Sequence, residues 1–102
     1  MKTGEIIRQG EVLLIAIDSL PKGIKKKNLV LAEGETTGHM HRFNSKQVQV
    51  FADDENNQFV EVKSPSKLIH EEHQNLEIPI GKYKVMLQRE YDLSQQVRKV
   101  MD

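Results

Sequence analysis

The 102-residue chain contains no cysteine. Disulfides and thiolate metal sites are therefore excluded, and the absence fits a reducing cytosol. A charge excess of either sign is also missing, since 15 basic residues balance 15 acidic ones. Nothing global draws the chain to nucleic acid or an anionic membrane, so binding to duplex DNA is expected to be weak and no membrane partner is expected. Structured or single-stranded RNA is left open, because local shape and a few stacking contacts can hold it without net charge. Long apolar runs are lacking too. The longest, Val12 to Ile17, falls far short of the ~20 residues that span a bilayer. The opening "MKTGEIIRQG" has no uninterrupted apolar core of the signal-peptide kind, so a cytoplasmic location is expected. No P-loop, dinucleotide fingerprint, G-x-S-x-G or H-E-x-x-H is present, and "HEEH" is one residue too short for the last.

What is present is a 37% hydrophobic, 29% charged chain of a length that suits one domain with one modest core. The patterning is that of short strands separated by turns. "EVLLIAI" (Glu11 to Ile17) reads as a strand buried on both faces, ending at the turn residues of "DSLPKG". "IKKKNLVLAEGE" reads as a basic loop feeding a strand over Asn28 to Glu33, with three lysines that are more often solvated than gripping phosphate. "KQVQVFA" and "QFVEVK" alternate about the polar turn "DDENN". They predict a hairpin over Lys46 to Lys63 with Val48, Val50, Val60 and Val62 facing the core. "NLEIPIGKYKVMLQREYD" predicts a further strand pair about Pro79 and Gly81, with Tyr83, Val85, Leu87, Arg89 and Tyr91 on one face of the second strand. "SPSKLIHEEHQNL" fits a strand over Lys67 to Glu71 that turns at Glu72 to Asn75, or a short helix opened by Ser64 and Pro65. Leu93, Val97, Val100 and Met101 recur at helical spacing, predicting a short C-terminal helix. The expected fold is mainly β: a single-domain barrel or sandwich over residues 1–102 with that helix appended.

All four histidines fall in two tight pairs, His39 and His41 in "GHMH", His70 and His73 in "HEEH". On a strand, residues two apart point the same way, so His39 and His41 would offer two imidazoles from one face. That arrangement suits a divalent ion such as Zn, Fe, Mn or Ni. A spacing of three suits a helical turn or a bulge, so His70 and His73 converge only if the chain turns near Glu72. Glu71 and Glu72 are the candidate catalytic carboxylates, able to ligate metal, orient an imidazole or take a proton from bound water. The expectation is that the two pairs lie close together and share one metal through His39, His41, His70 and His73.

"GETTGHMH" resembles the first half of the cupin metal motif, a glycine and a spacer before two histidines one residue apart. "IPIGKY" resembles the Pro-x-Gly turn of the same family's second motif. The resemblance implies a small double-stranded β-helix barrel with an interior metal held by three histidines and a glutamate, His39 and His41 among the ligands and Pro79 and Gly81 in the turn. The chain departs from the pattern where Gly34 stands one residue too near His39. No glutamate follows His41 before Glu55, and Tyr83 and Lys84 occupy the place of the last histidine. As a whole the chain is also similar to small bacterial or phage proteins, a likeness that implies no activity.

Three functional readings follow. The first is a metal-binding β protein with an open coordination position, suited to metal-assisted hydrolysis or oxygen chemistry on a small molecule. The second is a metal-independent ribonuclease in which one histidine takes a proton and another returns it, Arg42 or Lys46 steadying a phosphate. The third is a non-catalytic module that assembles into a homo-oligomer, with histidines at an interface.

Overall fold

The computed structural model describes residues 2–33 and 39–91. Ten strands run in chain order: β1 Ile6–Gln9, β2 Val12–Ile17, β3 Lys25–Lys27, β4 Val30–Glu33, β5 Met40–Phe43, β6 Val48–Ala52, β7 Gln58–Val62, β8 Ser66–Ile69, β9 Leu76–Ile78 and β10 Gly81–Leu87. They form a six-stranded sheet in the order β1-β2-β10-β7-β6-β3 and a four-stranded sheet in the order β4-β5-β8-β9. Every pairing is antiparallel. The two sheets make a sandwich and do not close into a barrel.

Alternation decides which side of each strand is buried. On the large sheet, Val12, Leu14 and Ala16 of β2 share an inner face with Tyr83 and Val85 of β10, Val60 and Val62 of β7, and Val48 and Val50 of β6. Leu31, Phe43, Leu68 and Ile78 supply the facing side from the small sheet. β2 is buried on its other face as well, where Leu13 is only 3% exposed. That agrees with its unbroken apolar sequence, which lacks the polar positions of a half-solvated strand. The predicted hairpin is present as β6 and β7, with Val48 opposite Val62 and Val50 opposite Val60. Its turn is organised by Asp53, whose Oδ1 accepts the backbone N–H groups of Glu55 and Asn57, while Asn56 takes the left-handed conformation.

Three expectations are corrected. The lysines of "IKKKN" are not a loop but strand β3, the outer edge of the large sheet against β6. An edge strand of lysines is a charged barrier to pairing with other chains. Lys27 turns inward, where its Nζ donates to Gln58 Oε1 at 2.8 Å and to the Val30 carbonyl, and burial lowers its pKa. The strands about Pro79 and Gly81 do not pair with each other. β9 belongs to the small sheet and β10 to the centre of the large one, so Pro79 and Ile80 cross between layers, and the Tyr83 hydroxyl donates to the Pro79 carbonyl at 2.7 Å. Finally, β10 stops at Leu87 and residues 88–91 are helical, which takes Arg89 and Tyr91 off the strand face. The remainder of the expected helix, with Leu93, Val97, Val100 and Met101, lies outside the described residues.

Between Pro65 and Asn75 the strand reading holds. β8 covers Ser66–Ile69, with Ser66 and Leu68 inward, and the chain bends over residues 71–73. The strand therefore ends before "HEEH", leaving both of its histidines in the connection to β9.

Candidate metal centre

His41 sits on β5 with the same orientation as Phe43, toward the interior, and is only 4% exposed. β8 runs beside β5, pairing Arg42 with Ile69, so the bend that follows β8 is delivered next to the start of β5. Glu71 fastens this junction, its carboxylate accepting the Met40 N–H at 3.0 Å. That hydrogen bond holds the Glu71 pKa below its ordinary value, with smaller contributions from His39 and His70.

The two histidine pairs consequently meet. The ring of His41 lies 4.2 Å from that of His70 and 5.7 Å from that of His73, and the His70 and His73 rings are 4.5 Å apart. One ligand nitrogen from each of His41, His70 and His73 can be chosen so that all three lie within 4.8 Å of one another. This group could hold a metal ion. His39 stands outside the trio, with its ring edge-on to His70 at 5.8 Å and its Nδ1 3.2 Å from the Glu72 carboxylate. The two carboxylates have separate placements. Glu72 lines the histidine cleft beside His39, whereas Glu71 is engaged with the backbone of β5.

The cleft is completed from the other sheet. Gln9 and Val12 pair across a two-residue β1–β2 turn made of Gly10 and Glu11, and both turn residues line the cleft with Glu33. Gly10 adopts φ +56°, and a Cβ there would lie 2.5 Å from Nε2 of His73. The turn thus needs glycine twice over, for its left-handed backbone and for the ring that packs on it. Gln9 faces inward at 3% exposure. Its Oε1 is 2.9 Å from Nδ1 of His41, and its Nε2 donates to the carbonyls of Leu68 at 2.9 Å and Gln74 at 3.0 Å.

Burial pushes the pKa of His41 from 6.5 down to about 4, with His70 and His73 adding to the depression and Glu71 opposing it. A proton on His41 would be a charge without water and beside two more imidazoles. The ring is accordingly neutral at physiological pH, the form in which imidazole ligates metal. Among the described residues no lysine or arginine lines the cleft, whereas Glu11, Glu33 and Glu72 do. The field there favours a cation.

Gln9 and Gly10 are the site residues that the histidine spacing does not reveal. The signal in the sequence is "GE" between "EIIRQ" and "VLLIAI", a glycine-containing pair that can form a two-residue hairpin turn.

Fold and site together define a two-sheet antiparallel β protein with a histidine-lined cleft at the edge of its core. The family described as "Domain of unknown function (DUF8820)" matches residues 8–88, and the chain belongs to it. The match spans every element of this cleft, from Gln9 to Gln74. Neither a curated protein nor a solved structure matches the chain. Among the described residues no helix is long and apolar enough to cross a membrane.

Proposed function

We propose that the protein binds one divalent transition-metal ion through His41, His70 and His73, with a further coordination position facing the cleft beside His39 and Glu72. The observation that carries this reading is the convergence of three ligand nitrogens within 4.8 Å. Three imidazoles suit Zn, Fe, Ni and related ions over Mg or Ca, which prefer oxygen. Nitrogens bound to one tetrahedral zinc at about 2.0 Å stand about 3.3 Å apart, so the rings need to close by roughly 1.5 Å at most. The exposed His73 and half-buried His70 have the freedom to make that movement, whereas buried His41 is fixed.

Binding has a local cost. Nδ1 of His70 accepts the Glu72 N–H at 3.0 Å. A metal at Nδ1 replaces that hydrogen bond. A metal at Nε2 moves the ring proton to Nδ1 and turns the contact into donor against donor. Either mode shifts the 70–73 bend, which is already outside the strand ladder.

With three protein ligands and an open position, the ion could activate water for hydrolysis or bind a small oxygen-containing substrate. The metal-independent ribonuclease reading is weaker here, because a cleft lined by Glu11, Glu33 and Glu72 and, among the described residues, by no lysine or arginine repels a phosphodiester. The test is metal analysis of untagged protein and titration with Zn2+. Stoichiometric metal is expected in the parent and is lost in His41→Ala and in His70→Ala, with the double variant little worse than either single one, since ligands of one site are not additive. A parent that contains no metal and binds none, or single variants that retain full occupancy, overturns the proposal.

A further inference from the structure

The polar core of the cleft contains a hydrogen-bond chain whose direction can be worked out. The amide of Gln9 has one acceptor oxygen and one donor nitrogen, and exchanging them reverses its interactions. Its nitrogen lies between two backbone carbonyls, Leu68 at 2.9 Å and Gln74 at 3.0 Å. Carbonyls only accept, so that atom must be the NH2 group, and both of its hydrogens are used. The remaining atom, 2.9 Å from Nδ1 of His41, is therefore the carbonyl oxygen. An oxygen facing Nδ1 requires the proton to be on Nδ1. The neutral ring then carries its lone pair on Nε2.

We infer that Gln9 is a positioning residue that fixes His41 in the Nδ1–H tautomer and presents Nε2 as the metal-ligating atom. The inference rests on the metal reading for its purpose, but the tautomer is a property of the metal-free protein. Gln9 is suited to this role by its place in the fold. It comes from the large sheet, is held by the carbonyls of Leu68 on the small sheet and Gln74 in the β8–β9 connection, and occupies the hydrogen-bonding position at Nδ1 of His41. A histidine in water favours the opposite tautomer modestly, so without this contact the proton would return to Nε2 and block the ligating lone pair. Partners of this kind orient metal-bound histidines, and their removal typically weakens metal binding by about 10- to 100-fold.

The experiment uses two variants of the full chain, Gln9→Leu and Gln9→Glu. Both lose the paired donation to Leu68 and Gln74, and Gln9→Glu also sets a carboxyl oxygen against those carbonyls, so its structural damage is no smaller than that of Gln9→Leu. Only Gln9→Leu removes the acceptor that faces Nδ1. Long-range 1H–15N correlation spectra of metal-free, 15N-histidine-labelled protein at neutral pH read the tautomer directly. The parent and Gln9→Glu should show His41 protonated at Nδ1, and Gln9→Leu should move the proton to Nε2 in most molecules. Titration with Zn2+ alone should then show a 10- to 100-fold weaker Kd for Gln9→Leu than for the parent. A parent ring protonated at Nε2, or the same tautomer in both variants, overturns the inference whatever the metal result. A parent with the stated tautomer that takes up no zinc overturns the metal reading instead, and the tautomer assignment stands.

Discussion

Acidification is the most direct probe of His41, because one ring in the cleft is much harder to protonate than in the unfolded chain. Its pKa falls from 6.5 to about 4 through burial and the neighbouring imidazoles. The unfolded chain therefore binds a proton between these values while the folded chain does not, and the stability this ring contributes is present above pH 6.5 and lost as pH falls toward 4. A shift of that size is worth roughly 3 kcal/mol in all, of which about 2 kcal/mol is lost between pH 7 and pH 5. Other groups titrate over the same range, so the parent is compared with His41→Asn, whose amide N–H replaces Nδ1–H toward Gln9 and does not titrate. Urea unfolding with chelator present, at pH 7 and pH 5, should move the parent midpoint down by about 2 M more than that of the variant, taking a slope near 1 kcal/mol per M. Equal movement of the two midpoints would refute the account of a buried neutral imidazole. A parent that gains stability on acidification would refute its sign.

Two further outcomes are expected. Gly10→Ala forces a left-handed alanine and a Cβ 2.5 Å from the His73 ring; the backbone should cost about 1–2 kcal/mol, and since His73 is exposed its ring should swing aside. Zn2+ affinity should therefore drop much more than melting temperature does, and unchanged affinity would show that His73 is not a ligand. Val60 is wholly buried between Val50 and Tyr83, so Val60→Asp should destabilise by roughly 4 kcal/mol or more; a parent-like thermal melt would mean the inner face of the large sheet has been misassigned.

How much of this could be read from the sequence depended on whether the signal was local. Val48, Val50, Val60 and Val62 alternate within one hairpin, and period two alone identifies their face. The two histidine pairs were legible as a concentration of ligands, but their number was not: His39 lies one residue before β5 and leans on Glu72, so only His41 of that pair joins the trio. Pro79 and Gly81 marked a change of direction correctly and its nature wrongly. A turn signal says where the chain bends, not whether the next strand rejoins the same sheet. The three lysines of β3 oppose strand formation by propensity and become a strand through their ladder with β6. Gln9 was invisible for a different reason. Its partners lie 32, 59 and 65 residues further along, and a lone glutamine carries no spacing to read.

That separation bears on the order of events during folding. Gln9 and Gly10 are synthesised before the carbonyls and rings they serve, which belong to residues 41 to 74, on the small sheet and its β8–β9 connection. The cleft comes into being only when the two layers dock. An ion on the three histidines, all from the small sheet and its β8–β9 connection, meets the complete cleft only in the finished sandwich, where Gln9 holds His41 and Gly10 backs His73. Its influence enters by mass action, as RT ln(1 + [L]/Kd) added to the folded state. It should also be felt chiefly as slower unfolding if docking completes after the main folding barrier, because contacts absent from the transition state act on the unfolding rate.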